Sequence, residues 1–373
     1  YDIKTNENTK LTKLGSEGRS TSTTVLSYII VKHLQKAGYP INDQKLLSFT
    51  DNRQDAALQA GHFNDFLRVG LLRSSIYYAL NINTQKILDH TNISNEVFQV
   101  LNLKQDDYAY QSAVFPNAVL DNENALKDYL MYRILYDLRC GWRVILPNLE
   151  QCGLLKISYK YFEENTKFDS IWQSLPLFDT IVLDERKQVI QQVLDFIRRS
   201  YAIFSNEYLT KEAIEIKRRN INEKLKNPWK FDANEKIQAP NFIRYETLQN
   251  YSNIFSISVG YRSALGKYFK DLSKKVYGEQ WEQNTYQNFI ENFLDVLAGA
   301  GWLICNKTFS NRDGKTTKIY QLKLDSIIWE LGDEKNVVSD NVRIRSYKSF
   351  EETPNLFFQN FYKTKFNESK KLI

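Results

Sequence analysis

The length of 373 residues predicts two or three compact units, and a composition of 42% hydrophobic and 25% charged residues is ordinary for globular proteins. No apolar run reaches the length of about 18 residues that a membrane-spanning helix requires. Cys140, Cys152 and Cys305 form no CxxC pair, and the three histidines lack metal-ligand spacing. This argues against a disulfide framework or a zinc site and predicts a reducing, cytoplasmic location. The net charge of +6 permits nucleic acid as a partner without requiring it.

The first third of the chain has the element order of an α/β sheet. Residues 1–13 predict a loose polar tail, and 15–40 predict a turn and a helix that ends at Gly38 and Pro40. Residues 45–49 have the nearly all-apolar pattern of a buried parallel strand. A helix capped by Asp51 or Asn52 is expected to follow directly.

The pattern is mostly helical from Leu71 to about Ser256, most clearly over 124–142, 185–204 and 210–229. In the second of these helices Arg198 and Arg199 fall outside the apolar stripe. Helices over 260–276 and 285–303 then precede a hairpin over 302–324, whose turn contains the Asp-Gly signal. Helices followed by a hairpin are the layout of a winged helix, which is related to helix-turn-helix DNA binders.

Two stretches resemble nucleotide-binding motifs without their context. The stretch "DGKTTK" (313–318) has Phe309 where a phosphate loop needs glycine, and it lies in the predicted hairpin. The stretch "TIVLDE" (180–185) continues into a helix, so Asp184 and Glu185 are expected in a first helical turn. GxSxG, HExxH and GxGxxG motifs are absent from the sequence. We therefore predict no catalytic residue and no metal ligand within this chain.

The stretch "FTDNRQDAA" (49–57) is different, because a capped helix leaving a parallel strand is where α/β sheets bind ligands. Free backbone N–H groups and the guanidinium of Arg53 suit a phosphate anion at such a position. The alternative is an ordinary helix cap with a solvated Arg53.

The longer stretch "LLSFTDNRQDAA" resembles the motif that opens the second RecA-like domain in a group of large bacterial superfamily 2 DEAD/DEAH-box-type helicases. The matching residues are Phe49, Thr50, Asp51, Arg53, Gln54, Asp55 and Ala56. Segments 14–27, 137–159, 194–203 and 260–269 resemble further signatures of the same group. The group is similar to DNA-repair helicases with a C-terminal zinc-binding region and to phage-defence helicases of the Druantia and DISARM types.

The resemblance implies an α/β fragment plus a mostly α insertion, with a partial RecA-like parallel sheet, a helical domain and a winged helix. The implied domains are the start of the second motor domain (1–80), a helical insertion (81–255), a winged-helix-like domain (256–335) and a return segment (336–373). The phosphate loop and the later motifs of the family would lie outside the chain. ATP and Mg²⁺ would therefore bind other parts of a larger parent, and the chain alone would not hydrolyse ATP.

The resemblance also implies contacts with the backbone of nucleic acid, with DNA favoured over RNA. The implied contact residues are Thr50, Asp51, Asn52 and Arg53, a second loop with Arg19, Ser20 and Thr21, and the hairpin residues Arg312, Lys315 and Lys318. Gln54 and Asp55 either join these contacts or, with Phe49, brace the motif internally. Phosphate contacts give affinity and salt dependence without reading the base sequence.

Several alternatives remain open on the sequence alone. Residues 256–331 carry ten basic and eight acidic residues, so the winged helix would serve either DNA or packing between domains. Trp142, beside Arg139 and Arg143, either stacks on a base or lies in the core. The rival function is a non-enzymatic helical and winged-helix scaffold that docks partner proteins of a repair or defence complex.

Overall fold

The computed structural model describes residues 23–44, 46, 53–139, 147–245, 256–310, 316–336, 340–342 and 354–364. The helices in these ranges are α1 (23–36), α2 (Arg53–Ile82), α3 (Ile93–Leu101), α4 (Gln105–Tyr108), α5 (Pro116–Asp137), α6 (Phe162–Lys167), α7 (Asp169–Trp172), α8 (Leu183–Arg199), α9 (Lys211–Lys224), α10 (Ala264–Tyr277), α11 (Gln283–Gly299) and α12 (Leu356–Lys363). Single 3₁₀ turns lie at Ile41–Asp43 and Leu324–Ser326. None of the described helices combines the length and the apolar character needed to cross a membrane.

The strands form two small sheets. They are β1 (Ile87–Asp89), β2 (Leu155–Tyr159), β3 (Ile203–Phe204), β4 (Phe242–Arg244), β5 (Ser256–Ser258), β6 (Leu303–Ser310), β7 (Thr316–Lys323) and β8 (Ile327–Leu331). The first sheet is antiparallel in the order β1-β8-β2, and the second is a mixed sheet in which β7 pairs with β6, β3 and β4. The broad prediction of a mixed α/β chain with a large helical part is confirmed.

The predicted hairpin is present as β6 and β7, which pair antiparallel from Leu303 with Leu322 to Ser310 with Thr316. Its turn, 311–315, lies outside the described residues. On its other edge β7 pairs with β3 and β4, which come from the region assigned by sequence to the helical insertion. One sheet therefore draws strands from both sides of the boundary predicted at residue 255.

The antiparallel sheet was not expected within the mostly helical region. Its centre is Trp329 of β8, which is aligned with Leu88 of β1 and Ile157 of β2 and is buried. Alternate burial along β2 follows the period of two that a half-buried strand requires. The segment "LKISY" carries this alternation in its sequence, but it is only five residues long.

The prediction of one helix over 185–204 is wrong at its C-terminal end. Helix α8 ends at Arg199, Tyr201 has a left-handed φ of 55°, and Ile203 is already in a strand that pairs with Leu322. A left-handed residue breaks the helical hydrogen-bond ladder, and the parallel partner β7 favours an extended chain beyond it. At the start of α8, Asp184 and Glu185 lie in the first turn as predicted.

The GYRSALG segment makes a tight entry into α10. The Ser263 hydroxyl accepts a hydrogen bond from the Gly266 N–H at 3.0 Å, which caps the helix. A Cβ at position 266 would lie 2.5 Å from the carbonyl oxygens of Gly260 and Tyr261. Because no side chain fits at that distance, glycine is required where the helix passes over its own entry loop.

Helices α1 and α12 both pack against α2, at contacts that run from Phe66 to Tyr78. The rings of Tyr28 in α1, Phe66 in α2 and Phe361 in α12 lie with centroids 4.9–6.2 Å apart. Tyr78 of α2 donates a hydrogen bond to the Lys363 carbonyl, and Ser74 donates one to the Tyr362 carbonyl at 2.6 Å. The chain therefore returns at α12 to the helix from which it departed.

The predicted strand 45–49 lies outside the described residues except for Leu46, which is 41% exposed. Among the residues that the structure describes, parallel pairing occurs between β3 and β7 and between β4 and β5.

Candidate functional site

Most residues of the predicted nucleic-acid site fall outside the described part of the chain. These are Arg19, Ser20, Thr21, Phe49, Thr50, Asp51, Asn52, Arg312 and Lys315. Arg53, Gln54 and Asp55 form the first turn of α2, which begins at Arg53. The motif thus leads directly into the N-terminus of a 30-residue helix, where backbone N–H groups are free of helical partners. The roles assigned to these residues remain predictions.

Lys318 on β7 is the one hairpin cation of the predicted site within the described residues. Its ammonium donates a hydrogen bond to the Asp295 carboxylate of α11 at 2.7 Å, and this bond raises the pKa of the lysine. The Tyr320 hydroxyl donates to the same carboxylate at 2.8 Å. The charge of Lys318 is therefore partly neutralised before any phosphate approaches it.

Helix α11 precedes the hairpin along the chain and places the Asp295 carboxylate against it. Besides Asp295, Glu291 accepts a hydrogen bond from the Tyr245 hydroxyl at 3.0 Å. Carboxylates on this face repel a phosphate backbone, which favours the packing alternative for this part of the hairpin.

A buried polar cluster surrounds Arg73 in the middle of α2. Its guanidinium donates to both oxygens of Asp137 at 2.8–3.2 Å, to the Pro147 carbonyl at 3.1 Å and to the Tyr362 hydroxyl at 2.8 Å. The Tyr362 hydroxyl in turn donates to the Pro147 carbonyl at 2.7 Å. Four segments of the chain (α2, the end of α5, the turn at 147 and α12) are joined at this one side chain.

The electrostatics of the Arg73 cluster follow from its burial. Burial alone would lower the pKa of Arg73, but the Asp137 carboxylate and the Tyr362 hydroxyl together outweigh it, so that the arginine pKa is raised. Burial raises the pKa of Tyr362 to about 12 and that of the neighbouring Cys152 thiol to about 12. The cluster therefore holds one ion pair among neutral hydroxyl and thiol groups at physiological pH.

A second buried cluster surrounds Glu150. Arg198 of α8 donates to both carboxylate oxygens of Glu150 at 2.7 and 3.0 Å and to Asp195 at 3.1 Å. Arg199 lies 3.5 Å from Glu150 and 3.5 Å from Asp340. The Tyr159 hydroxyl of β2 donates to Asp195 at 2.8 Å. We call these residues the Glu150 cluster.

Both guanidinium groups of the Glu150 cluster act on the carboxylate that they share. Burial would raise the pKa of Glu150, but Arg198 and Arg199 outweigh it and hold the pKa below its ordinary value. For Arg198 burial is opposed by Glu150 and Asp195, which raise its pKa. Buried charges persist only when paired in this way.

The two clusters are neighbours across the turn 147–154. Asn148 and Gln151 exchange hydrogen bonds of 2.9 Å between backbone and side chain, which fixes the turn. A cavity of about 10 Å³ between Asp137, Asn148 and Glu150 has room for about one water. Since Arg73, Glu150 and Arg198 are sealed from solvent, we assign these groups to holding elements together, not to acting on a substrate.

Sequence reasoning missed both clusters. It placed Arg198 and Arg199 outside the apolar stripe of α8, which is correct as periodicity, yet both are buried because Glu150 and Asp340 neutralise them. One feature of the sequence could have indicated the Glu150 cluster. Nearly all of its members lie in segments 137–159 and 194–203, the two segments that were noted together for their resemblance to helicase signatures.

The predicted base-stacking group is only partly described. Trp142 and Arg143 lie outside the described residues. Arg139 donates a hydrogen bond to the Gln238 side chain, and its guanidinium lies 5.4 and 5.8 Å from the ring centroids of Tyr136 and Tyr201. Arg139 thus already has protein partners in Gln238, Tyr136 and Tyr201.

Comparison with protein-family models, with curated proteins and with solved structures found no match to this chain. Within the described ranges, no group of three or more His, Cys, Asp or Glu side chains is placed to hold a metal ion.

The two described cysteines are expected to differ in reactivity towards maleimide. Cys305 is exposed, whereas Cys152 is buried with its pKa raised to about 12. Because the thiolate is the nucleophile and must be reached by reagent, native protein should be labelled at Cys305 and protected at Cys152. Peptide mass spectrometry before and after denaturation measures this. Equal labelling of both cysteines in the native protein would contradict the burial of Cys152.

Proposed function

We propose that the chain is part of an ATP-dependent nucleic-acid helicase or translocase, with DNA as its substrate. In this proposal it contributes phosphate contacts from the motif before α2 and an inserted helical and winged-helix region. Residues 45–49 would belong to a partial RecA-like sheet, and ATP with Mg²⁺ would bind elsewhere in the parent. The cytoplasmic location inferred from the cysteines, and a role in DNA repair or phage defence, belong to the same proposal.

The observation that carries the proposal is the way the chain returns to α2. An insertion in a motor domain must leave and re-enter that domain at neighbouring points. The chain leaves at the end of α2, at Ile82, and α12 returns to it through the contact of Lys363 with Tyr78, about one helical turn before that end. The intervening residues include both sheets and the Glu150 cluster, as expected of an inserted unit.

Exposed apolar side chains on the same elements also support the proposal. Leu26, Ile29 and Ile30 of α1 and Leu356 and Phe357 of α12 are exposed in the described structure. Both helices pack on α2 through other residues, so these side chains form additional apolar surface beside α2. In a larger motor domain such surface would be covered by further sheet or helix.

The proposal predicts salt-sensitive binding of DNA that is indifferent to base sequence. Replacing Arg53 with alanine, or Arg312, Lys315 and Lys318 together, should weaken binding. The slope of log K against log salt should fall by about 1 for each phosphate that is no longer neutralised. Fluorescence anisotropy with a labelled oligonucleotide at several salt concentrations measures both quantities. Lys211→Ala is the matched control, because Lys211 is an exposed cation at the start of α9 outside the proposed site.

Two results would count against the proposal. One is binding that the changes at Arg53 and at the hairpin, or a rise in salt concentration, leave unaffected. The other is DNA-stimulated hydrolysis of ATP by the pure chain, because the proposal assigns the ATP-binding site to other parts of the parent protein.

A second candidate function is a module that docks a partner protein. It is favoured by a separate feature of the molecule, a loop ahead of α5 that exposes Tyr110, Val114 and Phe115.

A further inference from the structure

The outer face of α10 carries a row of basic side chains. The helix packs on α11 through the side opposite to this row, where the ring centroids of Phe269 and Phe289 lie 4.9 Å apart and Leu265 is buried. Lys267 and Lys274 are two helical turns apart on the solvent side, and both are exposed. We call the following four residues the α10 basic face: Arg262, Lys267, Lys270 and Lys274.

The charges of the α10 basic face are not consumed by ion pairs within the described residues. Its exposed members, which form no ion pair there, are Arg262, Lys267 and Lys274. The ammonium of Lys270 lies 3.9 Å from the centroid of the Tyr261 ring, a cation–π contact that leaves the charge in place. Lys275 differs, because it pairs with Glu185 of α8 at 2.8 Å.

Basic residues outnumber acidic ones along this segment, most clearly at the start of α10. Residues 256–270 contain three basic residues and no acidic one, and the whole of 256–282 contains five basic and three acidic residues. Asp271 is exposed on the same side of the helix, whereas Glu279 and Glu282 lie beyond its C-terminal end. The helix dipole adds partial positive charge at the N-terminus. The positive potential is therefore greatest over the first half of α10.

The neighbouring face formed by α11 and the hairpin is different, because its described cation is compensated. Lys318 donates to Asp295 at 2.7 Å, and Glu291 accepts a hydrogen bond from the Tyr245 hydroxyl at 3.0 Å. A phosphate chain that approached residues 256–335 would be repelled by these carboxylates and attracted to the α10 basic face.

The geometry of the α10 basic face suits a phosphate chain better than a membrane or a protein surface. Lys267 and Lys274 are seven residues apart, about 10.5 Å along the helix axis, so the row spans several phosphates of one strand. No large apolar side chain in 256–270 is exposed. A helix that lies on a lipid surface pairs its cations with apolar residues that insert, and a protein interface centres on apolar or aromatic anchors.

We propose that the α10 basic face binds the phosphate backbone of nucleic acid without reading its sequence. The inference rests on the proposed function and adds a contact surface to it, on the side of the 256–335 region that faces away from α11. It is separate from the motif before α2, so the two surfaces can be changed independently.

The test is fluorescence anisotropy of the pure chain with a labelled oligothymidylate at several salt concentrations. The variant combines Arg262→Gln, Lys267→Gln and Lys274→Gln. We expect about tenfold weaker binding at low salt, and a slope of log K against log salt that falls by about 2, since each phosphate contact on a single strand contributes about 0.7. Thermal unfolding by circular dichroism checks that the variant is folded.

The matched control removes the same charge from exposed cations elsewhere. It combines Lys211→Gln, Arg219→Gln and Lys236→Gln, and it should bind like wild type. Lys267→Arg with Lys274→Arg, which keeps both charges, should also bind like wild type.

A variant with the opposite expected effect is Asp271→Asn. Asparagine keeps an acceptor for the Gln280 side chain, which bonds to Asp271 at 3.4 Å, and it removes the carboxylate within the row. Binding of the oligothymidylate should become tighter. Weaker or unchanged binding would contradict a phosphate chain lying along this side of α10.

The inference is overturned if the triple α10 variant binds the oligothymidylate like wild type, or if the control triple variant loses as much affinity. It is also overturned if the α10 variant keeps oligothymidylate binding but loses binding to phosphatidylserine vesicles or to polyglutamate. Weaker binding by Arg53→Ala with no effect of the α10 variant would sink this inference and leave the proposed function standing. No binding of nucleic acid by the wild-type chain would sink both.

Discussion

Replacement of Arg198 by methionine is expected to lower the free energy of unfolding by about 3–5 kcal/mol. The substitution keeps a long apolar side chain in the interior but leaves the carboxylates of Glu150 and Asp195 without their main partner. An unpaired buried charge retains its full desolvation cost. Removing one partner of a buried ion pair is therefore more destabilising than replacing both partners with apolar residues. Urea unfolding followed by circular dichroism at neutral pH gives the value.

The matched control is Lys275→Met, which removes an ion pair of 2.8 Å with Glu185 on the surface. Exposed pairs contribute little because water screens them, so a decrease below about 1 kcal/mol is expected there. Equal decreases for the two variants would mean that the Glu150 cluster is not buried as the structure has it.

The same cluster gives the chain a defined response to acid. Because Arg198 and Arg199 hold the pKa of Glu150 below its unfolded-state value of about 4.3, the contribution of this carboxylate is fully present above that value. It is lost as the pH falls through the folded-state pKa. Below about pH 4.3 the wild type should therefore lose stability more steeply than Glu150→Gln, whose side chain does not titrate.

Replacement of Arg73 by methionine is expected to cost a similar amount, about 3–5 kcal/mol, and to act on a different part of the fold. Arg73 links α2 to Asp137, to the Pro147 carbonyl and to Tyr362 of α12. Without the guanidinium, α12 and the turn 147–154 are no longer joined to α2 through one shared side chain. Amide hydrogen exchange should rise in 147–154 and 356–363 more than in α10 and α11.

Lys363→Ala is the control for this variant, since it breaks a surface pair of the same helix with Glu334. It should change the free energy of unfolding by less than about 1 kcal/mol and leave exchange in 147–154 as in the wild type. Uniform exchange changes throughout the molecule in Arg73→Met would contradict a local joint and indicate a general decrease in stability instead.

The buried clusters indicate a structural role for two of the segments that resemble helicase signatures. Segments 137–159 and 194–203 resemble signatures of the helicase group, yet their buried charged residues Glu150, Asp195, Arg198 and Arg199 form ion pairs within the interior. Within the proposed function these segments therefore serve the architecture of the insertion. The same proposal assigns the contacts with nucleic acid to the motif before α2, to the loop 19–21 and to the hairpin.

Local features of the sequence were sufficient for the longer helices, apart from the C-terminal end of α8, and for the hairpin. Helix α10 is bounded by Ser263, which caps its first turn, and by Gly278, whose φ of +84° suits glycine at a helix end. The hairpin of β6 and β7 could be predicted because its strands are adjacent in sequence and its turn residues are specific. For the candidate nucleic-acid site, the segment that leads into α2 was singled out by its resemblance to a helicase motif. The ion pair between Lys318 and Asp295 could not be predicted from the sequence.

The amino-acid sequence by itself thus indicated the longer helical segments, the hairpin and the position of the motif ahead of α2. The tertiary structure alone decided the β1-β8-β2 sheet, whose strands lie as far apart as Leu88 and Trp329. It also decided that Arg73 and Arg198 are buried. The physical reason is that hydrogen bonds within a helix or hairpin join near neighbours, so their residues suffice as a signal. The burial of a charge depends on whether a distant carboxylate arrives to neutralise it, and neither residue carries that information alone.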